Sequence, residues 1–147
     1  MRRCREVGLC FSLAWVLSGQ VSKAPDSFNV KAIAAAQTHS LVLASDGTVW
    51  QWGSDWQPQW NGSAPVRVSG LTGIVAVSAG IIHNLAVKED GTVWAWGGGW
   101  SGAELTQYPA AVRLGGFEGI VAVAAAGTLS LALKGDGTVW AVGYGPL

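Results

Sequence analysis

Residues 88–100 read KEDGTVWAWGGGW: an acidic turn, two tryptophans spaced two apart, three glycines and a third tryptophan. Two readings compete. One is an aromatic binding platform or a glycine-rich phosphate loop. The other is a hairpin whose indoles pack inward. The rest of the chain separates them, because the stretch recurs. SDGTVWQWG runs from Ser45 to Gly53, EDGTVWAWG from Glu89 to Gly97, and GDGTVWAVG from Gly135 to Gly143. DGTVW thus starts at Asp46, Asp90 and Asp136, at spacings of 44 and 46 residues. The likeness extends upstream. VKAIAAAQTHSLVL, IVAVSAGIIHNLAV and IVAVAAAGTLSLAL align without a gap, which puts His39, His83 and Leu129 at one position. Self-similarity at a period of about 20–50 residues is the mark of solenoids, propellers and arrays.

Each unit has a physical reading. IVAV and the following LAV or LAL are short, β-rich and apolar at nearly every position, as expected of strands buried on both faces. Asp-Gly between LAVKE and TVWAW is a hairpin signal, expected here as a two-residue turn with both residues at positive φ. Side chains alternate along a strand, so Trp94 and Trp96 share one face and Val93 and Ala95 the other. After the glycines the units diverge into polar, Gly- and Pro-rich stretches. These end in short apolar segments, Pro65–Val68 and Pro109–Leu114, placed as edge strands because Pro donates nothing to a ladder. Four short strands in each unit describe a propeller blade, stacked face to face with its neighbours.

These residues resemble the RCC1 family, the repeats named for the regulator of chromosome condensation. The resemblance is carried by Ile74-Val75-Ala76-Val77, Gly80, His83, Leu85-Ala86-Val87 and Asp90-Gly91-Thr92-Val93-Trp94-Ala95-Trp96-Gly97, and covers residues 30–145. It implies an all-β fold, a β-propeller typically of about seven blades. The chain departs from the pattern at Leu129, at Val142 where other units have Trp52 and Trp96, and at Ala36 and Ala126 in place of Gly80. Three units, at residues 30–69, 74–114 and 120–147, give an incomplete ring. An uncovered blade face of several hundred Å² costs on the order of 10 kcal/mol. That rivals the stability of a whole domain. The expectation is therefore a fragment of a longer propeller, an assembly of copies through open blade edges, or a marginal, aggregation-prone chain.

Residues 1–24 differ from the repeat domain at 25–147. MRRCREVG carries three Arg, LCFSLAWVL is nearly apolar, and SGQVSKAP is small and polar, the order of a secretory signal. The apolar run is too short to span a bilayer, so no stable membrane span is expected. Both cysteines, Cys4 and Cys10, fall in this leader, which leaves the repeats without disulfides or thiolate ligands. Without the leader the chain keeps five basic and eight acidic residues. That balance argues against nucleic acid as a partner. A secreted or cell-envelope location follows from the leader, with the cytoplasm as the alternative.

The chemistry-bearing residue types mostly follow the repeat. Gly97, Gly99 and Gly102 match GxGxxG, but no helix pattern follows to bind phosphate, so a turn-rich loop is expected. His39 and His83 are periodic, and a buried structural histidine bonded to backbone explains them better than catalysis. Without Cys or a carboxylate cluster they make no metal site. Asp46-Gly47, Asp90-Gly91 and Asp136-Gly137 form turns, and Trp50, Trp94 and Trp140 are blade core. No catalytic, cofactor or metal site is assigned, and the chain reads as no enzyme. The aromatics outside the repeat, Trp56, Trp60, Trp100 and Tyr108, are placed in variable loops as candidate partner contacts, since loops on a rigid scaffold carry binding. Asn61-Gly62-Ser63 is a glycosylation sequon. The expected partner is another protein, with a secreted enzyme inhibitor as a special case. The alternatives are a carbohydrate stacked on loop tryptophans and nucleotide exchange on a small GTPase.

Overall fold

A computed structural model describes residues 29–53, 62–101 and 104–143. The 1–24 leader, Trp56, Trp60 and Asn61 lie outside them. All eleven elements among the described residues are strands. The first blade is β1 (Val30–Ala35), β2 (His39–Ala44), β3 (Val49–Gly53) and β4 (Gly62–Arg67). The second is β5 (Ile74–Ala79), β6 (His83–Lys88), β7 (Val93–Ser101) and β8 (Glu104–Arg113). The third is β9 (Ile120–Ala126), β10 (Leu129–Lys134) and β11 (Val139–Gly143). Within each blade consecutive strands pair antiparallel. The three sheets do not close on one another, as the unit count leads one to expect.

The Asp-Gly turn differs from its sequence reading. Ala44 N–H donates to Thr48 O at 2.9 Å and Gly47 N–H to Ala44 O at 3.0 Å. The loop is therefore the three residues Ser45-Asp46-Gly47, with Gly47 at φ 77°. Bonds from Lys88 and Gly91, and from Lys134 and Gly137, repeat the pattern. The third residue has a use. It lets Asp46 Oδ1 accept from both Thr48 N–H (2.9 Å) and Thr48 Oγ1–H (2.7 Å), which locks the turn from inside.

The glycines after Trp96 also differ from expectation. They are strand, not loop: β7 runs through them, with Gly98 opposite Gln107 and Gly99 opposite Thr106. A Cβ on Gly97 would lie 2.7 Å from the Ile82 carbonyl oxygen, and Gly98 N–H donates to that same oxygen. Lack of a side chain is what lets the β5–β6 turn sit against β7.

Stacking of the blades makes the core. Leu41, Leu43 and Val49 of the first blade meet Trp94, Trp96, Ala86 and Val77 of the second. Leu85, Val87 and Val93 on the second blade's other face meet Ala132, Val123 and Ala125 of the third. Trp94 and Trp96 thus share one face, and Val93 and Ala95 the other, as the alternation requires. Backbone bonds cross each seam: Ile74 N–H donates to Gly47 O at 3.2 Å, and Ile120 N–H to Gly91 O at 3.0 Å. Among the described residues no further sheet covers the third blade. Leu131 and Leu133 are 37% and 38% exposed and Val139 64%, where their counterparts Leu85, Val87 and Val93 are at most 3% exposed.

The turn glycines should separate these environments. A Cβ on Gly91 would meet the Gly119 backbone at 3.0 Å, whereas one on Gly137 meets nothing within 4 Å. Both substitutions to Ala carry the roughly 1 kcal/mol cost of a left-handed residue. Gly91→Ala should lose about 1–3 kcal/mol more through the crowded seam. Urea denaturation of the two variants measures this, and equal losses would count against the seam.

Candidate functional site

Local geometry absorbs the carboxylates. Asp90 Oδ1 accepts from Thr92 N–H (3.0 Å) and Oγ1–H (2.6 Å), and Asp136 Oδ1 likewise from Thr138 (2.9 and 2.6 Å). The tryptophan that follows joins in, Trp50 Nε1–H donating to Thr48 Oγ1 at 3.2 Å and Trp94 Nε1–H to Thr92 Oγ1 at 3.3 Å. The Thr hydrogen bonds hold Asp46, Asp90 and Asp136 below the usual carboxylate range, by stabilising the charged form. A general base needs the opposite shift, toward neutrality.

The histidines reach across the seams rather than to the backbone. His39 Nε2–H donates to Asn84 Oδ1 of the second blade at 2.7 Å, with both side chains buried. His83 Nε2 lies 2.8 Å from Ser130 Oγ of the third. In each case the partner occupies the position just after the histidine in the next unit. Leu129 fills the third histidine position and is 36% exposed. Burial holds His83 below the usual imidazole range, with a smaller push from His39.

Two further seam contacts escape a reading based on periodicity. Trp96 Nε1–H donates to Gln51 Oε1 at 2.7 Å, with both residues at most 1% exposed. Ala125 N–H donates to Ser78 Oγ at 2.9 Å. Gln51 did carry a signal: it is the one polar residue of β3 (VWQWG), where burial demands a partner. At the second seam Ala95 stands in the position of Gln51 and Val142 in that of Trp96. Val142 lines an apolar cavity of about 40 Å³ at this seam, together with Leu85, Val93, Phe117 and Val123. Beside it Trp140 meets Phe117 edge-on, ring centroids 6.5 Å apart.

Of the candidate contact aromatics, Trp56 and Trp60 fall outside the described residues. Trp100 and Tyr108 are in strands rather than loops: Trp100 pairs with Leu105, and Tyr108 with Gly97, in the β7–β8 ladder. Among the described residues no three His, Cys, Asp or Glu side chains gather to hold a metal. No helix among them is long and apolar enough to cross a membrane.

Residues 74–101 match the family model of the regulator of chromosome condensation (RCC1) repeat. That match is to one RCC1 repeat, within the second of the three units. Its fold is similar to that of human WBSCR16 at a TM-score of 0.71 and 26% identity, over 87% of this chain and 36% of that one. Yeast RCC1 (Prp20), in a crystal structure bound to Kap60, gives a TM-score of 0.66 and 24% identity, over 83% and 32% of the two chains. The ectodomain of the Arabidopsis thaliana receptor kinase ACR4 gives 0.52 and 18%, over 84% and 40%. The chain therefore spans about a third of the length of the first two. Comparison with curated proteins finds no match.

Two outcomes test this geometry. Asp46, Asp90 and Asp136 have folded pKa values below 3.8, so their contribution to stability is present above that pH and lost as pH falls through the lowered values. His83 behaves alike from 6.5 downward. Urea midpoints should thus decline between about pH 7.5 and pH 5 and fall again in stronger acid. His83→Gln should flatten the first decline, and an unchanged slope would contradict the assignment. Separately, Ala95→Gln with Val142→Trp should recreate at the second seam the Trp–Gln hydrogen bond of the first, raising stability by about 1 kcal/mol. A double variant less stable than the parent would count against the equivalence of the seams.

Proposed function

We propose that this chain is a non-enzymatic, RCC1-like propeller segment that binds another protein through its loops and exposed blade surfaces. The observation that carries this reading is the fate of the reactive residue types. The repeated Asp residues close turns and the two His residues join blades, so their chemistry is spent on architecture. RCC1 repeats and propellers generally serve as non-catalytic scaffolds, although one fold hosts many tasks. The relatives are consistent with it: yeast RCC1 (Prp20) is bound to Kap60 in its crystal structure, and Prp20p from Saccharomyces cerevisiae has binding properties to Gsp1p and histones. The signal-like leader supports a secreted or envelope location, where such a segment could inhibit an enzyme.

Self-association is a second reading, favoured by the exposed apolar face of the third blade. Sugar stacking on Trp56 and Trp100, and exchange on a small GTPase, are weaker alternatives. Cross-linking the full chain to proteins of its own compartment, followed by mapping, is the test. One reproducible partner cross-linked to blade loops or edges supports the proposal. A tryptophan fluorescence response to one glycan that Trp56→Ala or Trp100→Ala removes would replace it with sugar binding. Accelerated nucleotide release from a GTPase would replace it with exchange.

A further inference from the structure

Asp-Gly is a chemically fragile pair, and DGTVW repeats it at Asp46, Asp90 and Asp136. The glycine amide nitrogen can attack the aspartate Cγ, because no side chain shields it. The N–Cγ bond forms and the Cγ–O bond breaks. The carboxyl oxygen leaves as water, taking the amide proton and the carboxyl proton. A second water then opens the succinimide at either carbonyl. Opening at the aspartate main-chain carbonyl routes the chain through Cβ and Cγ and lengthens it by one carbon. The first step needs a neutral carboxyl group, freedom for Cγ to swing toward the nitrogen, and a glycine N–H able to give up its proton.

Each turn works against these needs. Asp46, Asp90 and Asp136 all give Oδ1 to the N–H and the hydroxyl of the threonine two residues on, the hydroxyl at 2.7, 2.6 and 2.6 Å. Those bonds fix the carboxyl and favour its charged, unreactive form. The indole that follows aims the hydroxyl. Thr92 Oγ1 accepts from Trp94 Nε1–H, which leaves its own proton for Asp90, and Thr48 stands likewise between Trp50 and Asp46. The N–H groups of Gly47, Gly91 and Gly137 are engaged by the Ala44, Lys88 and Lys134 carbonyls at 3.0, 2.8 and 2.9 Å. The turns are also where an added carbon does most harm. Glu89 N–H donates to Gly73 O at 2.9 Å before the Asp90–Gly91 bond, and Gly91 O accepts from Ile120 N–H at 3.0 Å after it. Ser45 N–H to Asn29 O and Ile74 N–H to Gly47 O tether the first turn in the same way. A longer backbone between two such tethers pulls the seam bond out of place.

We propose that the hydroxyls of Thr48, Thr92 and Thr138 guard the three Asp-Gly bonds against succinimide formation, and that Asp46, Asp90 and Asp136 become isoaspartate sites once the guard is removed. The hydroxyl acts on the reacting carboxyl itself, a task distinct from stiffening the turn. It explains why the residue after each Asp-Gly is a threonine and the one two further on a tryptophan. The inference is independent of what the chain binds.

The test ages the full chain at neutral pH and elevated temperature and measures isoaspartate at each Asp-Gly by peptide mapping. Asp90 should isomerise at least about tenfold more slowly than in the free peptide KEDGTVW, residues 88–94, which has the same letters without the turn. Thr92→Val removes the hydroxyl and should raise the Asp90 rate at least about threefold, with Asp46 and Asp136 unchanged. Thr92→Ser keeps the hydroxyl and should hold the parent rate. Thr138→Val repeats the test at Asp136, so the outcome does not hang on one variant folding. Leu85→Ala, in the core and away from the turn, separates protection from stability. At an equal or greater loss of urea stability it should raise the Asp90 rate less than Thr92→Val does. Valine variants that isomerise no faster than the parent would overturn the proposal. So would a Leu85→Ala chain that matches Thr92→Val at Asp90, or a parent chain as fast as the free peptide.

Discussion

Leu41, Leu43 and Val49 are buried because another sheet lies on them, and Leu131, Leu133 and Val139 are exposed where none does. Local sequence and hairpin geometry are nearly the same in both places, so burial here is set by the neighbour. A four-stranded sheet of this size has two apolar faces and too little polar surface to wet either. Each blade therefore depends on the next, as in other arrays whose stability is a sum of unit and interface terms. The second blade is the one covered on both sides, and it contributes to both cores.

Dependence on neighbours explains why residues with catalytic potential recur with the fold. A turn that must present Gly47 or Gly91 backbone to the following blade has to be rigid, and the Asp–Thr bonds make it so. A seam that must hold register takes polar pairs, because a buried polar atom tolerates few alternative alignments. His39–Asn84 and Trp96–Gln51 serve the first seam in this way. The second keeps His83–Ser130 but exchanges the Trp–Gln pair for Val142 and Ala95, and Val142 lines an apolar cavity there. Seams built from one repeat can therefore differ in strength.

Much of this was legible in the sequence, for physical reasons. Three in-register copies of DGTVW fixed the hairpin, the alternation of Trp94 and Trp96 with Val93 and Ala95, and the blade count. Several details differ from the sequence reading. A bare Asp-Gly suggests a two-residue turn, but Thr48 makes a third loop residue worthwhile by satisfying the carboxylate. Three glycines suggest a loop, but they lie in β7, where Gly97 and Gly98 make room for the Ile82 carbonyl. The seam partners Gln51, Asn84 and Ser130 were hidden because they pair across about one repeat length, a distance that propensity and periodicity do not reach. Trp100 and Tyr108 looked like loop residues because their flanks are rich in Gly and Pro, yet they lie in a paired ladder.

Amide hydrogen exchange on the full chain tests the dependence on neighbours most directly. Leu85 and Val87 in β6, and Leu131 and Leu133 in β10, sit in the middle strands of like hairpins and differ in whether a further blade covers them. Exchange in β6 should be at least about tenfold slower than in β10, with β2 close to β6. Equal protection in β6 and β10 would mean that each sheet is stable by itself, and would contradict the account.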